Sequence, residues 1–170
     1  IALSNGFRFC PPLVPDPKTG EAIITVDYLW NMLPVDSEAK KGFITGKQLL
    51  DWMEKELQNA FAKDPGKRFG GWVVRFKGME VNFTIGNDAG KRVNWIKVAD
   101  QLLDLQKTYS FVACEREGDP DTTICRVEGV KNPKRLGATL HSVIEEYLKL
   151  HSPISPKLEG RCTATDAPNS

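Results

Sequence analysis

An amphipathic helix with a clearly marked start lies in the middle of this chain. The segment 45–61 reads TGKQLLDWMEKELQNAF, in which Thr45 and Gln48 match a T-x-x-Q capping box. Apolar residues then recur at helical spacing, at Leu49, Met53, Leu57, Ala60 and Phe61. This pattern predicts a helix over 45–62 whose apolar face is buried, so the rest of the chain must supply a surface that covers it.

Strand patterns elsewhere supply that surface. Residues 79–85 alternate apolar and polar side chains, and a turn cluster separates them from a second strand at 92–98, which predicts a β-hairpin. Further strands are expected at 1–9, 37–44 and 108–114, with a return strand at 122–127. Thr25 is a candidate cap for a short helix. A second amphipathic helix is predicted over 138–150, with Leu140, Val143, Ile144, Tyr147 and Leu148 on its apolar stripe. This order predicts an α+β fold, in which two main helices flank a mixed β-sheet.

The length and net charge of the chain limit the classes of protein to which it can belong. The chain has 170 residues, which fits one domain with a hydrophobic core. We expect this domain over residues 1–162, followed by a mobile polar tail over 163–170. The net charge is only +1, so nothing indicates a nucleic-acid partner. No apolar run approaches the roughly 20 residues of a membrane span.

The sequence offers no catalytic centre. Only two histidines are present, His141 and His151, and no C-x-x-C pair accompanies them, so zinc-ligand spacing is absent. We expect both histidines at the surface or at a helix cap. No G-x-S-x-G motif occurs, and the acidic residues of 115–121 do not match a calcium loop. We therefore predict no catalytic residue and no metal ligand.

The four cysteines leave two alternatives open. Their even number and wide spacing permit two disulfides with three possible connectivities, which favours an oxidising compartment. Four buried thiols in a reducing compartment are the other alternative. The cysteines are Cys10, Cys114, Cys125 and Cys162.

Two short segments indicate ligand binding rather than catalysis. Arg8 lies between two phenylalanines just after a glycine, so it offers hydrogen-bond donors for an anion beside aromatic rings. Asp119 lies in a Gly-Asp-Pro turn and could accept hydrogen bonds from a sugar diol. The residues alone leave open that Arg8 pairs with a carboxylate of the core instead.

A series of motifs in a fixed order then resembles a known family. The motifs run from a strand ending in N-G-F-R to a C-terminal S-P-x-x-E-G-R, and they cover nearly the whole chain. Their order and spacing resemble the C-terminal domain of the 5'-nucleotidase and UDP-sugar hydrolase family of metallophosphoesterases. The matching pieces are Asn5–Arg8, Leu33–Pro34, Thr45–Leu49, Lys107–Tyr109, Gly118–Asp119 and Ser155–Arg161.

The resemblance implies a role in nucleotide catabolism. In such hydrolases an N-terminal metallophosphoesterase domain of the same polypeptide holds two divalent metal ions, and the C-terminal domain positions the nucleotide substrate. This chain would then have no activity by itself and no cofactor of its own. The family is commonly periplasmic, secreted or at the cell surface.

The alternative is a stand-alone ligand-binding or interaction module. Because the sequence begins with Ile1 rather than Met, we expect a processed chain or a domain of a larger protein.

The resemblance also assigns the substrate-binding residues. Arg8 corresponds to the arginine at the anionic end of the substrate, with Asn5 and Gly6 just before it. Asp119 corresponds to the aspartate that holds the ribose hydroxyls, and Gly118 shapes its turn. Phe111 is the nearest aromatic residue to the position of one of the two phenylalanines that usually stack on the base.

Two departures from the family concern base stacking and the turn. Val35 occupies the position of the other stacking phenylalanine, and Glu117-Gly118 replaces the usual pair of glycines. The eleven-residue separation of Cys114 and Cys125 around the turn leads us to expect a disulfide that closes this loop.

Overall fold

Two β-sheets and three helices form the fold in the parts of the chain that the computed structural model describes, residues 1–4, 12–69 and 73–167. The helices are α1 (Val26–Met32), α2 (Gly46–Phe61) and α3 (Leu140–His151). The strands are β1 (Ala2–Ser4), β2 (Glu38–Thr45), β3 (Arg75–Lys77), β4 (Met79–Phe83), β5 (Val93–Val98), β6 (Gln101–Leu102), β7 (Thr108–Cys114), β8 (Lys131–Thr139) and β9 (Cys162–Ala164). The predicted α+β class is confirmed, although the strands form two sheets rather than one.

The first sheet is mixed, with the strand order β3-β1-β7-β2-β8. β1 and β7 run parallel, with Ala2 opposite Val112, and the other neighbours in this sheet are antiparallel. The second sheet has the order β6-β5-β4-β9 and contains the predicted hairpin of β4 and β5.

Helix α2 supplies much of the core between the sheets. Its N-terminus carries the predicted capping box, in which the Thr45 side chain accepts from the Gln48 amide and the Gln48 side chain accepts from the Thr45 amide. Leu49, Met53 and Leu57 are completely buried on its inner face, as their spacing predicted. The core cluster continues through Ile44 and Phe111 of the first sheet and through β4 of the second.

The first residues of the segment 163–170, predicted to be a polar tail, belong to a strand. Cys162–Ala164 forms strand β9, which pairs in parallel with β4. The Asp166 carboxylate then accepts hydrogen bonds from the amides of Ile85 and Gly86, both at 2.8 Å. Strand β9 therefore covers the edge of β4, and contacts with the second sheet continue as far as Asp166.

Helix α3 begins and ends close to its predicted bounds but is packed differently. Val143 and Tyr147, predicted to face the core, are about half exposed. The buried residue of this helix is His141, whose Nε2 lies 2.8 Å from the Leu33 carbonyl oxygen and whose ring packs edge-on against Trp30. His141, expected at the surface or at a helix cap, is thus buried rather than at the surface, and its ring contacts the carbonyl oxygen of Leu33, the C-terminal cap residue of α1.

The predicted return strand at 122–127 is a tight turn instead. Ile124 and Val127 pair across it by two backbone hydrogen bonds of 2.9 and 3.0 Å, with Cys125 and Arg126 at its corner at positive φ. The returning strand is β8, a few residues later. None of the helices in the described residues is long and apolar enough to span a membrane.

Candidate functional site

The parallel strands β1 and β7 both end on the same side of the first sheet, which is called here its carboxyl-end edge. Because parallel strands point the same way, the carboxyl ends of β1 and β7, at Ser4 and Cys114, lie at the same edge. Asn5, Gly6 and Arg8, which the resemblance assigns to the substrate, come after Ser4 and lie outside the described residues. After Cys114 comes the segment 115–123, which carries Gly118 and Asp119 and is called here the Asp119 loop.

Backbone hydrogen bonds shape the Asp119 loop. The Asp119 amide donates to the Arg116 carbonyl oxygen at 3.1 Å, and the Thr123 amide donates to that of Pro120 at 2.8 Å. Gly118 has a φ of +86°, a left-handed conformation that favours glycine. Asp119 is half-buried, and its carboxylate has no hydrogen-bond partner among the described residues. The turn thus presents a carboxylate whose lone pairs are not used by any of the described residues.

A buried lysine lies beneath this loop. Lys40 belongs to β2 and is only 4% exposed, and its Nζ lies 2.8 Å from a Glu115 carboxylate oxygen and 2.9 Å from one of Asp121. Arg135 of β8 approaches Glu115 to 3.1 Å from the solvent side, and it lies 3.8 Å from Glu38. These five residues are called here the Lys40 cluster.

The contacts within the Lys40 cluster favour the charged forms of Lys40, Glu115 and Asp121. The hydrogen bond from Lys40 lowers the pKa of Glu115 most, and the hydrogen bond from Arg135 adds to it. The same Lys40 hydrogen bond lowers the pKa of Asp121. Reciprocally, the Glu115 hydrogen bond raises the pKa of Lys40 and outweighs the effect of its burial. All three groups are therefore ionised at neutral pH.

The chain after the Asp119 loop is held by apolar contacts and by α2. Ile124, Val127 and Val130 are buried in or against the core. A Cβ atom at Gly42 of β2 would collide with the Val130 side chain, so this glycine lets the segment approach the sheet. The Gln48 side chain of α2 donates to the Gly129 carbonyl oxygen at 3.1 Å. The 124–130 segment is thus anchored independently of the Lys40 cluster.

Phe111 does not lie where a stacking residue would be needed. It is only 2% exposed and belongs to the hydrophobic core, whereas a ring that stacks on a base needs an open face. The apolar run Phe111–Cys114 does not alternate with polar residues, so no sequence signal indicated this inward position.

The expected disulfide between Cys114 and Cys125 is not present. Both are free thiols, and Cys125 is buried in the core. Burial raises the pKa of the Cys125 thiol to about 12 and also raises that of Cys114. The loop is closed instead by the Lys40 ion pairs and by a hydrogen bond from the Glu115 amide to the Glu38 carbonyl oxygen. These two thiols are therefore protonated at neutral pH, and protonated thiols are poor nucleophiles.

The acidic residues of the Asp119 loop do not form a metal site with other described residues. In the described ranges, no group of three or more His, Cys, Asp or Glu side chains is arranged to hold a metal ion. Glu115 and Asp121 are committed to Lys40 and Arg135 instead. The metal ions that the resemblance assigns to another domain therefore have no matching donor set in these parts of the chain.

Comparison with known proteins gives a consistent result. The family described as "5'-nucleotidase, C-terminal domain" matches residues 1–114. The trifunctional nucleotide phosphoesterase protein YfkN of Bacillus subtilis is 26% identical over 144 residues, which are 81% of this chain and 9% of that protein. Protein 5NUC of Lutzomyia longipalpis is 26% identical over 156 residues, which are 87% of this chain and 27% of that protein. The chain thus spans about a quarter or less of these relatives.

Solved structures share the fold. The sulfate thiohydrolase SoxB of Thermus thermophilus aligns with a TM-score of 0.67 at 20% identity, over 86% of this chain and 26% of its own. A 5'-nucleotidase precursor from Thermus thermophilus aligns with a TM-score of 0.63 at 21% identity, over 87% of this chain and 29% of its own. With a family match over two thirds of its length, this chain belongs to the family of 5'-nucleotidase C-terminal domains.

Proposed function

We propose that this chain is the substrate-binding domain of a 5'-nucleotidase-like hydrolase. It orients a phosphorylated nucleoside for a metallophosphoesterase domain of the same polypeptide, which holds two divalent metal ions and activates the attacking water. A periplasmic, secreted or cell-surface location is part of this proposal, and the description of the Thermus relative as a precursor supports it.

The parallel pairing of β1 and β7 carries the proposal. Arg8 follows the end of β1 by four residues, and Asp119 follows the end of β7 by five. We infer that Arg8, with Asn5 and Gly6 before it, meets the anionic end of the substrate at this edge of the sheet. The open Asp119 carboxylate, shaped by Gly118, accepts from two neighbouring sugar hydroxyls. Such a pair of contacts fixes both ends of a nucleotide without chemistry by the domain itself.

Thermal stabilisation by AMP tests this proposal. A ligand at a hundred times its Kd stabilises the folded state by about 2.7 kcal/mol, which raises Tm measurably. We expect AMP to raise the Tm of the wild-type chain, and Asp119→Asn and Arg8→Ala to remove most of the shift. Asp88→Asn is the matched control, since Asp88 is an exposed turn aspartate of the second sheet.

The result that contradicts the proposal is equally clear. If AMP, adenosine and UDP-glucose all leave the wild-type Tm unchanged at millimolar concentration, the domain does not bind this class of substrate. A shift that survives in Asp119→Asn would instead remove Asp119 from the site.

A further inference from the structure

Lys40 is the most deeply buried positive charge beside the proposed site, among the residues that the structure describes. Lysine is seldom buried unless its charge is paired, because removing an ammonium group from water is costly. At Lys40 this cost is met by Glu115 and Asp121, at 2.8 and 2.9 Å. The two carboxylates come from the same loop, so one ammonium group joins its two ends.

The two ends enclose Asp119. Glu115 comes four residues before it and Asp121 two residues after it, and both side chains reach down to the same Nζ atom. Between them, Arg116, Glu117, Gly118 and Pro120 are exposed and have no apolar anchor. The position of the turn therefore depends on polar contacts at its two ends.

The other contacts of the cluster are weaker candidates for this task. Arg135 is 57% exposed, and its closest approach to Asp121 is 4.0 Å, so water and salt screen its contribution. The apolar anchors Ile124, Val127 and Val130 come after the loop and hold the following segment. Lys40 alone in this cluster combines burial with direct contacts to both ends of the loop.

We propose that Lys40 is a positioning residue that holds the Asp119 turn in its binding conformation without contacting the ligand. This inference rests on the proposed function, because it concerns the affinity of the same site. The ammonium group binds the carboxylates of Glu115 and Asp121 and leaves the carboxylate of Asp119 available to sugar hydroxyls.

The variant Lys40→Met tests the inference, because methionine keeps an unbranched side chain and removes the charge. Amide hydrogen exchange of residues 115–123 gives the first measurement. We expect exchange in this loop to accelerate by about tenfold or more, with the amides of α2 unchanged. Lys47→Met is the matched control, since Lys47 also pairs with an aspartate, at 2.5 Å, but is 59% exposed on α2.

AMP affinity, measured by calorimetry on the same chain, gives the second measurement. The apparent affinity falls in proportion to the fraction of molecules that hold the binding conformation, so we expect AMP to bind Lys40→Met at least about tenfold more weakly, while Lys47→Met binds as the wild type does. If Lys40→Met does not fold, Asp121→Asn replaces it. Asp121 is 75% exposed, and its loss releases only one end of the loop.

The outcomes separate the two proposals. If wild-type chain binds AMP and Lys40→Met matches it in both exchange and affinity, the positioning role is overturned and the proposed function stands. If wild-type chain does not bind AMP, the proposed function fails and the effect of Lys40 on affinity fails with it. Hydrogen exchange then still decides whether Lys40 holds the loop.

Discussion

The Glu115 carboxylate connects the stability of the domain to pH. Hydrogen bonds from Lys40 and Arg135 lower its pKa in the folded chain, whereas in the unfolded chain it returns to about 4.3. A lowered folded pKa gives stability above the unfolded pKa, and this stability is lost as pH falls through the folded value. The Lys40 pKa is raised, so its contribution is present at neutral pH and declines only above about 10.

Glu115→Gln is therefore expected to destabilise the domain in a pH-dependent way. At pH 7 the variant should lose about 1 kcal/mol in free energy of unfolding, a value reduced for partial solvent exposure. Below about pH 4 the difference should shrink, because the wild-type carboxyl group also becomes neutral. Urea unfolding at several pH values measures this. A difference that stays constant down to about pH 3 would contradict the assigned ion pair.

At the residue scale, the sequence motifs pointed to Asp119 and Gly118 as candidate site residues, but they did not point to the lysine beneath them. Lys40 lies in the segment SEAKKGFI, where two adjacent lysines look equally solvent-exposed. The signal that could have separated them is strand alternation, since Lys40 shares a face with Gly42 and Ile44, both buried. Its partners lie about eighty residues away, and no local pattern predicts such a contact.

At the element scale, the start of α2 depends on one glycine. The Gly46 amide donates to the Lys107 carbonyl oxygen at 2.9 Å, and the Lys47 amide donates to that of Leu105 at 3.0 Å. A Cβ atom at Gly46 would collide with the backbone carbonyl of Asp104 and lie 3.0 Å from the Leu105 Cα. The loop before β7 thus packs directly against the first turn of the helix.

We expect Gly46→Ala to lower the free energy of unfolding by about 1–3 kcal/mol, although alanine is the better helix former. The backbone of residues 104–105 would have to move, and backbone gives way less readily than a side-chain tip. Gly66→Ala is the control, because its Cβ would meet only the Asp64 side chain, at 3.3 Å. A stabilised Gly46→Ala variant in chemical unfolding would show that the loop does not pack as described.

Element prediction succeeded where the signal was local and failed where partners were remote. The capping box and apolar spacing of α2 and the alternation of β4 are local, and both elements formed as expected. β8 has the sequence KNPKRLGAT, in which the charges, the proline and the glycine give no strand pattern. These residues nevertheless suit an exposed strand at the edge of a sheet. The stripe of α3 predicted a helix correctly, but the periodicity could not show that His141, which lies outside the stripe, would be the buried residue of this helix.

At the scale of the whole molecule, family membership could be predicted from motif order, whereas the arrangement of two sheets could not. The parallel pairing of β1 and β7 is set by the complete fold, because these strands are separated by most of the domain. The carboxyl-end edge that carries the candidate site is therefore a product of topology rather than of any motif.

We expect the isolated chain to release no phosphate from AMP. Its described residues contain no metal-binding group, and Cys114 and Cys125 have raised pKa values. Phosphate release should stay at the buffer rate with Mg²⁺, Mn²⁺ or Zn²⁺ present. A metallophosphoesterase domain assayed in parallel is the positive control. Turnover by the purified chain that persists after repeated chromatography would overturn the division of labour proposed here.

The pairing of β1 with β7 has a consequence for how the domain folds during its synthesis. The backbone nitrogen of Ile1 donates to the carbonyl oxygen of Ser110, and the Val112 amide donates to that of Ile1. During translation β1 must therefore wait for β7 before it has its parallel neighbour, and contacts this distant in sequence form slowly. A ligand that bridges the ends of these two strands would recognise only molecules whose synthesis had passed Asp119, so nucleotide binding would report that β1 and β7 had paired.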